Sequence, residues 1–63
     1  MDRRAELSST ASMLEDLRSR LESAGAGYRQ AQAEDVAAEL EEIERLLRTA
    51  GRRLDRLMPR LPS

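Results

Sequence analysis

Val36, Leu40, Ile43, Leu47, Ala50, Leu54, Leu57 and Leu61 follow one another at alternating spacings of four and three residues. A repeat averaging about 3.5 residues keeps these side chains on one stripe of an α-helix, and so long a stripe is built to be buried against other helices. A shorter set, Leu7, Leu14, Leu17, Leu21 and Ala24, with Thr10 between the first two, predicts a second amphipathic helix starting near Asp2. Between the two sets lies Ala24-Gly25-Ala26-Gly27, where two glycines cost about 2 kcal/mol relative to alanine in a helix interior. The frames also disagree across it. Carried forward, the first stripe reaches Tyr28 and Ala31; carried backward, the second reaches Ala33 and Arg29.

The pattern therefore predicts an all-α fold, a two-helix antiparallel hairpin. Its short helix runs over about 2–24, its glycine turn over 24–27 and its long helix over about 28–58, where Pro59 ends the run. Residues 1–63 form one helical-hairpin domain with a proline-containing tail over 59–63. The long helix exceeds its partner by about nine residues, or roughly 13 Å at the helical rise. Leu54, Leu57 and Met58 are accordingly expected to extend past the short helix. Leu46, Met58 and Met13 widen both stripes beyond two positions per heptad, which calls for more than two helices in the core.

Length sharpens that requirement. A 63-residue chain buries only about 60% of the surface its unfolded form exposes, and such small domains usually recruit disulfides, a metal or oligomerisation. There is no cysteine and no histidine, so no disulfide, cofactor or zinc-type metal site is expected and oligomerisation remains. Ten leucines, nine alanines and eleven arginines stand against one valine, one isoleucine and two threonines, a balance that favours helix over strand. No apolar run approaches the roughly 20 residues of a membrane span. The start, Met1-Asp2-Arg3-Arg4-Ala5-Glu6, lacks the apolar segment of a signal peptide, so a cytoplasmic location is expected.

Charge then selects a partner. Glu34, Asp35, Glu39, Glu41, Glu42 and Glu44 are followed by Arg45, Arg48, Arg52, Arg53, Arg56 and Arg60, with Asp55 the one acid among the arginines. Acids near a helix start and bases near its end complement the helix dipole, but that effect fades beyond the end turns, and this segregation goes further. Antiparallel self-pairing sets the acidic half of one chain along the basic half of another. Val36 and Leu54, Leu40 and Ala50, and Ile43 and Leu47 are all symmetric about Arg45, so a dyad near that residue keeps the layers matched. The expected assembly is a homodimer forming an antiparallel four-helix bundle, with the long helices central and Leu14, Leu17, Leu21, Val36, Leu40, Ile43, Leu47, Ala50, Leu54 and Leu57 in its core. Gly51 beside Ala50 is expected to allow close helix approach near the dyad.

Catalysis lacks its usual groups: with no His, Cys or Lys, a nucleophile has no side-chain base. Asp35, Glu39 and Glu42 share a face but lack the Glu-x-x-His partner of di-iron bundles and read as a solvated surface. The composition therefore points to a non-enzymatic interaction protein acting as adaptor, chaperone-like factor or regulator. Its candidate partner surface is Tyr28, the sole aromatic, with Arg45, Arg48, Arg52, Arg53, Arg56 and Arg60; tyrosine and arginine are enriched at binding hot spots. The same arginine stripe is the alternative reading, a nucleic-acid contact through phosphates. Against it stand the net charge of -1 and the single aromatic. The basic amphipathic stretch from Leu46 to Leu61 also has the form of a membrane-surface helix, although core packing accounts for the same residues.

No specific motif ties the chain to a family. In size and outline it resembles small hairpin chaperones of secretion systems and small helical anti-sigma factors. The Glu-x3-Ser-x2-Arg-x3-Gln-x3-Asp signature of anti-sigma factors that bind a cyclic dinucleotide is met only at Glu22 and Arg29, with Ala26, Ala33 and Ala37 at its other places.

Overall fold

The computed structural model describes residues 2–62; Met1 and Ser63, the ends of the expected domain and tail, lie outside the described residues. Two helices, α1 (Arg3–Gln30) and α2 (Glu34–Leu57), pack against each other as an antiparallel hairpin, and a 3₁₀ turn, Met58–Arg60, follows. The molecule is a rod of 49 × 17 × 10 Å. The all-helical hairpin expected from the periodicity is what forms.

Asp2 caps α1, its carboxylate accepting from the Arg4 amide at 3.0 Å and so satisfying one of the helix's open N–H groups. At the other end α2 stops at Leu57 and Pro59 enters the 3₁₀ turn, because proline cannot donate to a continuing helix. The Arg4 guanidinium donates to the Leu61 carbonyl at 3.0 Å. That bond ties the beginning of α1 to the segment after α2 and closes the open end of the hairpin.

The turn is not where the glycines are. α1 runs through Gly25 and Gly27 to Gln30, and the chain reverses at residues 31–33. The Gln32 amide donates to the Arg29 carbonyl and the Ala33 amide to the Tyr28 carbonyl, with Gln32 in the left-handed region at φ 65°. This is the Schellman arrangement, formed with glutamine where glycine is usual. Two corrections follow. The helix over about 2–24 is longer than expected and the one over about 28–58 shorter, so α1 at 28 residues and α2 at 24 leave no overhang. Leu54 and Met58 are half-buried rather than uncovered, while Leu57 is exposed as expected.

The reason lies in packing. The glycine cost of about 1 kcal/mol each is offset by the additional turn of helix and by the place Gly25 takes, buried against α2. A Cβ built there would meet Leu40, Glu41 and the Ala37 carbonyl at 3.8–3.9 Å, and one built at Gly27 would meet nothing within 4 Å.

Leu7, Ala11, Leu14, Arg18, Leu21 and Gly25 of α1 face Ala37, Leu40, Glu44, Leu47, Gly51 and Leu54 of α2 and Met58 of the 3₁₀ turn. Leucine layers alternate with layers of another kind. Gly25 lies against Ala37, Arg18 meets Glu44, and Ala11 and Gly51 line the same groove. Small, charged, small is the order on both helices, and it reads in opposite directions across the turn. At Gly25 and Ala37 the small residues bring the two helices into contact. They also leave little to bury: among the described residues Ala37 is the one fully buried apolar residue, and no large side chain is.

Candidate functional site

The two long faces of the hairpin differ in kind, and the difference arises from which flank of each helix they use. Going around α1 from the interhelical seam, one flank carries Ser8, Ser12, Glu15 and Glu22; on α2 the matching flank carries Glu41, Arg48, Arg52 and Asp55. Two shallow grooves, one lined by Ser8, Ser12, Glu15, Arg48 and Asp55 and the other by Glu22, Arg29, Glu41 and Arg48, show that these flanks lie side by side. This is the polar face. The opposite flanks carry Thr10, Met13, Leu17 and Ala24 on α1 and Val36, Ile43, Leu46, Ala50 and Leu57 on α2.

Ion pairs lace the polar face. Arg18 donates to Glu15 at 2.8 and 3.1 Å, to Glu22 at 3.4 Å and across the seam to Glu44 at 3.4 Å. Arg48 holds both Glu44 oxygens at 2.5 and 2.6 Å. Glu44 is 6% exposed, and its carboxylate stays charged there: the hydrogen bond from Arg48, helped by Arg18, holds its pKa below the ordinary value against the opposing effect of burial. Glu15 is lowered as well, by its hydrogen bond from Arg18, and the Arg18 guanidinium is raised, chiefly by Glu15. Near the turn, Arg29 bridges Glu34 at 2.5 Å and Glu41 at 2.7 Å, which raises its own pKa, Glu41 first.

The opposite face is apolar and uncovered. Leu46 and Met13 are 58% exposed and Leu17 48%, and Val36, Ile43 and Leu57 are exposed beside them. The expected core residues thus divide into two sets. Leu14, Leu21, Leu40, Leu47 and Leu54 serve the seam within the hairpin, whereas Leu17, Val36, Ile43, Ala50 and Leu57 form the exposed stripe. The heptad run in α2 is shared between two surfaces.

The expected arginine surface also divides. Arg45 pairs with Glu42 and Arg48 with Glu44, while Arg52, Arg53, Arg56 and Arg60 have no carboxylate partner within ion-pair distance among the described residues. Arg53, Arg56 and Arg60 gather around Leu54 and Leu57 at the open end. Tyr28 is half exposed at the turn end, away from those arginines, so the expected partner surface is not one patch. Gly51 faces the polar-side groove, and a Cβ there would find nothing within 4 Å; within the hairpin it is not a point of tight contact. Among the described residues, no group of three or more acids stands close enough to hold a metal and no helix is long and apolar enough to cross a membrane.

Sequence reasoning passed over Arg18 and Glu44. A signal was present: Ala11, Arg18, Gly25 and Ala37, Glu44, Gly51 repeat at seven-residue spacing, with opposite charges at the two centres. Compared with known proteins, the chain matches no family model, no curated sequence and no solved structure.

Proposed function

We propose that the chain is a non-enzymatic protein–protein interaction module, a homo-oligomerising helical hairpin that acts as an adaptor, chaperone-like factor or regulator. The supporting observation is the exposed stripe of Met13, Leu17, Val36, Ile43, Leu46 and Leu57 on a hairpin with no fully buried large side chain. Contiguous apolar surface of this kind marks an interaction site, and helices from a second molecule can cover it. In the resulting four-helix bundle both helices of each hairpin contribute, since Met13 and Leu17 belong to α1. Sedimentation at micromolar concentration tests the reading: a dimer or small oligomer is expected, and a folded monomer overturns it.

A second reading rests on Arg52, Arg53, Arg56 and Arg60, which have no acidic partner within ion-pair distance among the described residues and so can meet phosphates. Binding to a nucleic acid is strongest at low ionic strength. A gel-shift assay at about 50 mM salt tests it, and absence of a shift there removes it.

A further inference from the structure

We infer that the occupant of the apolar stripe is a second copy of this chain with its turn at the opposite end, related by a two-fold axis that crosses the face at the level of Leu17 and Leu46. The inference rests on the interaction reading above and specifies its partner and geometry. Arg18 meets Glu44 across the seam, and Leu17 and Leu46 lie within about one turn of that layer, so both sit at the waist of the hairpin. A dyad through the waist, perpendicular to the helices, stacks α1 on the partner's α1 and α2 on the partner's α2, each antiparallel. Leu17 and Leu46 each meet their own copy, Val36 meets the partner's Leu57, and Ile43 fills the space over the partner's Ala50. Along α2 large side chains oppose small ones or one another, while on α1 Thr10 comes opposite the partner's Ala24.

Charge decides between this arrangement and the other two-fold stacking, in which the axis runs along the helices and both turns lie at one end. Glu39 and Arg53 edge the stripe on α2, on either side of Leu46 and seven residues from it. The dyad therefore sets Glu39 against the partner's Arg53, twice per dimer. It also lays the acidic half of α2, six acids from Glu34 to Glu44, along the half that holds the unpaired arginines. Stacking with both turns together instead leaves Arg53, Arg56 and Arg60 level with the same arginines of the partner, at an end where Asp2 and Glu6 offset Arg3 and Arg4. Like charges brought together in that way disfavour the pairing. Relative to the dyad at Arg45 that the heptad run alone suggests, the axis moves to Leu46, because Leu40, Leu47 and Leu54 are turned toward α1.

The chain has no cysteine among its residues, so introduced ones report geometry directly. Leu46→Cys is expected to form an inter-chain disulfide under mild oxidation, and Val36→Cys is expected to cross-link to Leu57→Cys when the two variants are mixed but not to itself. Glu39→Arg and Arg53→Glu are each expected to weaken the dimer roughly tenfold, two rim contacts being lost at once, and the double variant to return within about threefold of the parent. Circular dichroism on each variant confirms that it is helical; the substituted positions are on the surface. A dimer that cross-links Leu17→Cys to Leu46→Cys, or in which the double charge swap brings no recovery, overturns this geometry while leaving the interaction reading intact. A helical monomer in sedimentation overturns both. Retention of a heterologous protein or RNA by the intact stripe without any dimer also overturns the inference.

Discussion

The two faces of this hairpin are made by the same two helices with opposite materials. On one, Arg18, Arg29 and Arg48 reach carboxylates on both helices, and the charges satisfy each other inside the chain. On the other, Leu17, Ile43 and Leu46 remain 39–58% exposed. Surface ion pairs contribute little each, about 0–1 kcal/mol, whereas full burial of a leucine-sized side chain contributes about 1.5–3 kcal/mol. The energetically stronger face is thus the uncovered one. A polar face of this kind fixes how α1 and α2 align, and the apolar face carries the drive to associate.

Substitutions can separate these roles. The largest effect is expected at the seam both faces share: Leu47→Asp should abolish helical structure and association together, read by circular dichroism and sedimentation. Next, Ile43→Asp with Leu46→Asp on the apolar face should reduce the chain to a monomer, while Arg52→Ser on the polar face should leave the assembly unchanged; equal effects of the two changes would erase the distinction between faces. The polar face has its own signature in acid. The pKa values of Glu44 and Glu15 are lowered in the folded chain, so the folded state binds protons less readily than the unfolded one. Their contribution is fully present above the ordinary glutamate pKa of about 4.3 and is lost as pH falls through the lowered values. Thermal midpoints should be flat near neutrality and drop below about pH 4, and Glu44→Gln should flatten that drop.

The smallest effects are expected where no side chain of either face is removed. Gly51→Ala places a methyl in open space and should raise stability by about 1 kcal/mol through helix propensity. Gln32→Gly should add about 0.5–1 kcal/mol by relieving the left-handed backbone. Chemical denaturation reads both. A loss of stability at Gly51 would mean that the space is filled in the assembled protein.

Much of this was legible in the residues and some was not. Leucine spacing announced two helices, and Pro59 marked where α2 ends. The turn was misplaced because glycine propensity, worth about 1 kcal/mol per residue, is a local quantity, whereas the burial of Gly25 against α2 is tertiary and Gln32 bears no outward sign of a left-handed conformation. The division of the heptad run was hidden for a different reason. Leu40, Leu47 and Leu54 can be joined to Val36, Ile43, Ala50 and Leu57 on one side or to Ala37, Glu44, Gly51 and Met58 on the other, and hydrophobicity favours the first. The hairpin takes the second, since small residues and a matched ion pair suit close antiparallel packing. The more apolar set is left over, and the partner surface is found by subtraction.

The layer of Arg18 against Glu44 has a consequence for the alignment of the two helices. If α2 slid by one heptad along α1, Arg18 would lie opposite Ala37 or Gly51 and Glu44 opposite Ala11 or Gly25, each charge set directly against a small side chain in place of its present partner. Leucine layers alone would accept that slip with little complaint, because leucine is replaced by leucine. The single charged layer therefore keys the alignment of α1 on α2, and exchange of one helix between two chains would have to reproduce the same alignment to keep the pair.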